Sequence, residues 1–484
     1  PSAPRSAACG TARDSSKQQS PMGATRNLVI SAVSNFSTAY NLVIINIVHV
    51  IMEYQYCKVP IDKKNKCEAP IDLASTSCLV GAIFGQLTFG YVGDCLGRGP
   101  ALQLTMAMSI LGAFASAFSV PLDQNDGSTV FYYLTITRFL LGVGVGGVYP
   151  LAATISTESS SQAERGRNAS LVFSMQGIAN LLAPLVAWGL LLICGVPETS
   201  SYSGDLGLSW RLALGLGALP GVLLLPFKTT PKTASAEGNS LEEPIAATVP
   251  KTQALTLCQA LRLKKYRGKL LGCAGGWFFF DITFYGNSLF QSTVLEEVFQ
   301  VNSTATATAP LQGDLQHNLC IQMAIVGLLG LPGYYISVWL MDRLGRRTIQ
   351  LQGFAFMGLI FLLLGVLYPT LEASGGGRVI MLLLYGLTFF FSNFGPNSTT
   401  FILPSETFPA HMRTTLNGFS AASGKAGAAI GTAMFKPMKD HIGLQNTMIV
   451  CAAVSLCGLV ITFLFVEDRR NNSMDDDDDD APPA

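Results

Sequence analysis

The sequence predicts an all-α membrane protein of twelve transmembrane helices in two pseudo-symmetric six-helix halves, and three observations predict it. Asp, Glu, Lys and Arg make up 13% of the 484 residues while hydrophobic residues make up 49%, and a soluble domain carries roughly 25% charged residues. Apolar runs of spanning length, about 20 residues each, recur twelve times along the chain. A pattern of charged residues between those runs recurs at one fixed offset, the 248 residues that separate Asp94 from Asp342. The 31 basic and 31 acidic residues balance, with four His, so the chain offers no basic face for duplex nucleic acid and that class of partner is excluded.

The first six spans fall near residues 27–52, 71–93, 100–120, 130–152, 167–194 and 208–227. The second six fall near 268–293, 318–341, 350–370, 378–402, 414–436 and 445–466. Residues 228–267 separate the sets and hold Glu237, Glu242, Glu243 and the basic residues Arg262, Lys264, Lys265 and Arg267, the composition of a cytoplasmic linker. Residues 1–26 read as a Ser-rich tail, and residues 467–484 as an acidic tail whose run from Asp475 to Asp480 repels itself. Lys and Arg gather after the even-numbered spans (Arg98; Arg165 and Arg167; Arg343, Arg346 and Arg347), so those connections and both termini are expected on the cytoplasmic side. Lys58, Lys63, Lys64 and Lys66 in the first outer loop run against that rule. Of the Cys residues, Cys78, Cys194, Cys273, Cys320, Cys451 and Cys457 lie in or beside apolar runs, where Cys acts as a small hydrophobe. Cys57 and Cys67 share the polar outer loop, the place where a disulfide is conceivable.

The repeat assigns a gating role to specific residues. Asp94, Gly97 and Arg98 follow the second span as D-x-x-G-R, and Asp342, Gly345 and Arg346 follow the eighth with the same spacing. Glu158 and Arg165 after the fourth span recur at the same offset as Glu406 and Arg413 after the tenth. Each Asp can accept hydrogen bonds from a helix N-terminus or pair with Arg across a cytoplasmic seam, forming a latch that opens as the halves rock.

Twelve spans, two similar halves and paired D-x-x-G-R motifs resemble the major facilitator superfamily over nearly the whole chain. Four blocks narrow the resemblance: GVGVGGVYPLAATISTE at 142–158, WFFFDITFYGNSLFQ at 277–291, NFGPNSTTFILPSETFPAHMR at 393–413 and GKAGAAIG at 424–431. These are similar to the inorganic phosphate:proton symporters of plants and fungi. The resemblance implies a major facilitator fold, transport by alternating access, no cofactor, and a phosphate site of Tyr149, Gln176, Trp277, Asp281, Tyr285, Asn397 and Lys425, with Arg138 matching an Arg of the fourth span. Where the family has two Asp in its first span and one before the Tyr of its fourth, this chain has Thr38, Asn41 and Val148. The family associates those acids with proton coupling, so the resemblance implies a substrate site whose usual proton carriers are missing. Asp281 and Arg138 are then the coupling candidates.

Residue chemistry supports the same site. Trp277, Asp281 and Tyr285 recur every four residues and share one helix face, and Asp281 sits in an apolar helix where a carboxylate is costly unless it faces a partner or water. Lys425 has no local carboxylate, so an anion or Asp281 must neutralise it. Arg138 and Tyr149 lie on one stripe about 16 Å apart in height. Pro150 suggests that Tyr149 is near the outer end of its span, with Arg138 deeper. A tetrahedral oxyanion needs the donors that Lys425, Tyr149, Tyr285, Trp277, Gln176 and Asn397 carry, and Asp281 can accept the hydroxyl that phosphate and its mimic arsenate carry and sulfate lacks. The expected partners are inorganic phosphate, protons and a lipid bilayer, and the plasma membrane is the default location, an organelle membrane the alternative; the sequence leaves the oligomeric state open. A transporter of organic phosphates or sugars, or a non-transporting sensor or assembly subunit, are the competing functions. Chemical catalysis is not among them.

Overall fold

A computed structural model of the chain describes residues 21–56, 68–123, 129–195, 205–227, 264–289, 291, 294, 312–374 and 376–468. The tail before residue 21, the Cys57 and Cys67 pair, residues 228–263 of the linker and the Asp475 to Asp480 run lie outside the described residues.

The first span is built from α1 (Pro21–Val43) and α2 (Ile45–Tyr56), with hydrogen bonds carried through Ile44, whose N–H donates to Tyr40 O and whose carbonyl accepts from Val48. Next come α3 (Glu68–Leu96), α4 (Arg98–Ala117), α5 (Val130–Glu158) and α6 (Arg165–Ile193). The sixth span is divided into α7 (Leu206–Leu216), capped by Asp205 on the Leu208 N–H at 2.9 Å, and α8 (Leu219–Leu224). The second set comprises α9 (Lys264–Leu289), α10 (Gln312–Leu344), α11 (Arg346–Glu372), α12 (Gly377–Asn393), α13 (Pro396–Thr407) and α14 (Arg413–Phe465).

Ten stretches of the described helices are long and apolar enough to cross a membrane, one of them being α14 as a single unit. As one rod, the 53 residues of α14 would extend about 80 Å, more than twice the hydrocarbon core of a bilayer. Yet Met412 and Val466, which flank its two ends, share one buried cluster with Tyr266 and Leu416. The helix therefore folds back on itself, and it does so at Gly443, where φ is +81°. The loop expected between 436 and 445 is absent: Pro437 lies inside the helix and one glycine makes the turn. Dividing α14 there gives eleven spans, and α9, whose Lys264, Lys265, Arg267, Lys269 and Asp281 lower its hydropathy, supplies the twelfth. The tenth span also differs from a plain helix, because α12 ends at Asn393 and α13 starts at Pro396, which has no N–H to continue the ladder.

Small residues set how closely the helices approach. A Cβ at Gly142 or Gly146 of α5 would come within 2.2 Å of the carbonyls of Cys78 and Ala82 on α3. Gly427 and Gly431 of α14 are just as tight against Phe278 and Ile282 on α9. The glycine-rich blocks around Tyr149 and Lys425 are thus packing motifs that carry one candidate site residue each into the buried centre.

Candidate functional site

Lys425, on α14, is 2% exposed, and its Nζ donates to Asp281 Oδ2 and to Tyr285 Oη, each at 2.9 Å. Asp281 and Tyr285 project from α9, one turn apart, as their spacing predicts. The ammonium also lies 4.1 Å from the centre of the Tyr285 ring and 5.1 Å from that of Tyr149, which α5 supplies from the other set of helices. Cation–π attraction to two rings and a charge-assisted hydrogen bond to a carboxylate together replace the water that this cation has lost. Trp277 stands one turn before Asp281 on the same face of α9, and Tyr149 and Tyr285 flank the Lys425 ammonium from opposite sets of helices. Gly424 makes room for Trp277, since a Cβ there would meet the indole at 2.4 Å. Five of the seven expected residues therefore form one contiguous cluster.

The other two stand slightly apart. Gln176 on α6 lines, with Tyr285, a cavity of about 40 Å³ that also takes walls from α1, α2, α10 and α12, and its Oε1 is buried without a hydrogen-bond partner among the described residues. Asn397 at the start of α13 donates to Tyr334 Oη at 2.9 Å and to Asn393 Oδ1 at 2.8 Å. Tyr334 was not anticipated from the sequence. It lines the cavity, is 1% exposed and packs against Gly177. A signal for it existed, because Tyr149 and Asn397 stand at the same 248-residue offset as the latch motifs, as do Gln86 and Tyr334.

The depth assigned to Tyr149 requires correction. Pro150 lies within α5, which continues to Glu158. Tyr149 is nine residues before that end and Arg138 eight residues after the start at Val130, so both are deep, and Tyr149 is the one nearer the latch motifs. An interior Pro costs one backbone hydrogen bond and does not by itself end a buried membrane helix. Arg138, 1% exposed, donates from Nη2 to the carbonyl of Asn41 at 2.5 Å, while its Nε and Nη1 have no partner among the described residues. The Asn41 amide donates to the carbonyls of Ser37 and Gly217, both at 2.9 Å. Thr38, Asn41 and Val148 are all buried.

The latch residues assemble into two nearly equivalent clusters. Asp94 accepts from the N–H groups of Thr414 and Thr415 at 3.3 and 2.7 Å and from the Thr415 hydroxyl at 2.7 Å, so a carboxylate from α3 caps the N-terminus of α14. Asp342 accepts from the N–H groups of Gly166 and Arg167 at 3.1 and 2.7 Å and caps α6, which Arg165 opens. Arg346 grips Glu406 through two bonds of 2.7 Å and reaches Asp342 at 2.9 Å. Arg98 reaches Glu158 at 3.2 Å, Asp94 at 3.4 Å and the carbonyl of Ala410 at 2.8 Å. Arg413 adds a bond to Glu158 at 2.8 Å. The glycines of the motif turn the chain between spans with φ of +93° at Gly97 and +85° at Gly345, a conformation that a Cβ resists. About ten residues, or roughly 15 Å of helix, separate Thr415 from Lys425.

Comparison with known proteins agrees with this architecture. The family model described as Major Facilitator Superfamily matches residues 32–432. The chain is 34% identical to the probable inorganic phosphate transporter 1-6 of Arabidopsis thaliana, over 91% of this chain and 90% of that protein. It is equally similar to the inorganic phosphate transporter 1-6 of Oryza sativa subsp. japonica, 34% over 91% and 90%. It is 32% identical to the low affinity inorganic phosphate transporter 4 of Petunia hybrida, over 91% and 89%. Among solved structures, the proton:xylose symporter XylE bound to 6-bromo-6-deoxy-D-glucose superposes with a TM-score of 0.72 over 94% of this chain and 98% of that one at 16% identity, a likeness of fold alone. The chain belongs to the major facilitator superfamily and, within it, to the family of the inorganic phosphate transporters of plants that it matches along most of its length.

Proposed function

We propose that the chain carries inorganic phosphate across a membrane by alternating access, with its coupling to protons weakened or absent. The observation that carries this reading is the enclosed Lys425, held by Asp281 and Tyr285 on one set of helices and facing Tyr149 on the other. With no anion bound, the ammonium and the carboxylate neutralise each other. An arriving dihydrogen phosphate brings oxygens for Lys425, Tyr149, Tyr285 and Trp277, and a hydroxyl for Asp281, so the pair can open around the anion without leaving either charge unpaired. Gln176 and Asn397 supply further amide donors at the edge of the same space. Arsenate has the same oxygens and hydroxyls and is the expected mimic. The names of the relatives favour phosphate over other oxyanions.

The latch clusters supply the gate: Asp94 and Asp342 each hold the N-terminus of a helix from the opposite set, and parting them opens one end of the site. Coupling is the weaker element, because Thr38, Asn41 and Val148 cannot titrate. Asp281 then has to serve both substrate and proton, with Arg138 as a fixed charge. We place the protein in the plasma membrane by default. Uptake of labelled phosphate into proteoliposomes with imposed pH, sodium and voltage gradients tests substrate and coupling together. Absence of saturable phosphate flux under every gradient would overturn the reading.

A further inference from the structure

Two side-chain amides at the crossing of α3 and α14 carry polar atoms that no described residue satisfies. Gln86 and Asn417 are both 0% exposed, and the amide nitrogen and oxygen of each are without a hydrogen-bond partner among the described residues. They flank a very close approach: a Cβ at Gly418 would lie 2.3 Å from the Gln86 carbonyl and 3.0 Å from the Cα of Gly90. Buried amides are normally hydrogen-bonded, and leaving four such atoms unpaired is costly. An apolar pair would pack this crossing without that cost. Their position suggests what they serve. Along α14, Asn417 lies two residues past the Thr415 that Asp94 caps and eight before Lys425. Along α3, Gln86 lies eight residues before Asp94. Both therefore stand between the central cluster and the latch. The repeat adds an independent indication: Gln86 is the counterpart of Tyr334 at the 248-residue offset, and Tyr334 lines the central cavity and bonds Asn397.

We propose that Gln86 and Asn417 form a second anion-contacting position on the latch side of Lys425, engaged by the departing anion when the latches part. In the latched state their amides are desolvated for no return, which disfavours closure. In the open state they offer donors to an oxyanion leaving Lys425. The identity of that anion as phosphate rests on the proposed function; the conformational part does not.

The test therefore has two arms on the full-length protein in liposomes. In a background with the exposed Cys95 and Cys457 replaced, the buried Thr154 of α5, one turn before Glu158, becomes a reporter cysteine for opening at the latch end. The double variant Gln86→Met with Asn417→Leu should lower its labelling rate by about tenfold, the factor expected from removing a penalty of the size of one unmade hydrogen bond. An unchanged rate overturns the inference, whatever the substrate is. In the second arm, Gln86→Glu keeps a polar, hydratable side chain but repels an anion. It should leave labelling at or above the starting rate, yet slow exchange of labelled phosphate by about tenfold while the equilibrium affinity stays within about twofold. Phosphate exchange at the unmodified rate in Gln86→Glu refutes the anion contact. If the unmodified protein binds no phosphate at all, the substrate reading fails and the labelling arm still decides the role of the amides. A thermal unfolding scan of each variant reports folding, and Gln86→Met alone replaces the double variant where the pair lowers the unfolding temperature.

Discussion

Removing the Lys425 ammonium tests the central cluster most directly, because the structure states what is left behind. Asp281 is 1% exposed, and its Oδ2 accepts from Lys425 at 2.9 Å. In Lys425→Ala that carboxylate loses its countercharge and the hydrogen bond at Oδ2. Breaking a buried ion pair on one side costs about 3–5 kcal/mol of stability, whereas replacing both partners by apolar groups of similar shape is close to neutral. The expected pattern in detergent is therefore a large fall in unfolding temperature for Lys425→Ala, a comparable fall for Asp281→Ala, and recovery in Lys425→Met with Asp281→Leu. Binding should follow a different pattern. The anion loses a charge-assisted hydrogen bond, typically about 1.5–3 kcal/mol, so affinity measured by calorimetry should drop by roughly one to two powers of ten or more in all three variants, including the stable double one. Coupling in stability together with joint loss in binding identifies a pair that supports the fold when empty and the ligand when full. Wild-type affinity in Lys425→Ala, or equal stability of all variants, would refute the reasoning.

Three further outcomes follow from the same geometry. Phosphate and arsenate should compete for uptake while sulfate should not, and Asp281→Asn should narrow that gap because an amide does not repel sulfate; unchanged discrimination removes the carboxylate from selectivity. Asp342→Asn, and independently Gly166→Ala, whose Cβ would lie 2.3 Å from Arg346 Nη2 and 2.4 Å from Asp342 Oδ1, should both raise cysteine accessibility at the latch end and change transport rates more than equilibrium affinity. Equal accessibility on both sides of the membrane, with and without these changes, would exclude the gate. Uptake by the unmodified protein should follow the phosphate gradient and depend weakly on pH gradient, and Asp at positions 38, 41 and 148 together should strengthen that dependence; strong uphill accumulation driven by a pH gradient alone in the unmodified protein would show that Asp281 or another group suffices.

Much of the architecture was legible in the chain because membrane insertion acts on local composition. A run of some 20 apolar residues spans a bilayer regardless of what surrounds it, and the 248-residue offset exposed the duplication behind two similar sets of helices. The same offset matched the latch partners: Arg98 with Glu158 and Arg346 with Glu406 are each 60 residues apart and each is bonded. Three helix boundaries, however, came out differently: the expected connection between the last two spans shrinks to one glycine, Gly443, the tenth span is divided at Gly395, and α5 runs on past Pro150. A break in a buried helix depends on whether neighbouring groups replace the lost hydrogen bond, and no window of sequence contains those neighbours.

The identities of the candidate site residues came from the chain's resemblance, carried by four sequence blocks, to a known family, while their grouping came from the fold. Trp277, Asp281 and Tyr285 share a helix face by spacing alone. That Lys425 sits on Asp281, that Tyr149 faces it from α5 and that Asn397 reaches the centre through Tyr334 are consequences of how α5, α9, α10, α13 and α14 cross. The latch showed the same division: the sequence marked Asp94 and Asp342, but only the packed helices showed that each carboxylate caps a helix of the opposite set. Helical periodicity is set by the backbone and can be read residue by residue. Contact between residues 144 positions apart, as for Asp281 and Lys425, is set by the packing of the whole bundle, which only the tertiary structure decides.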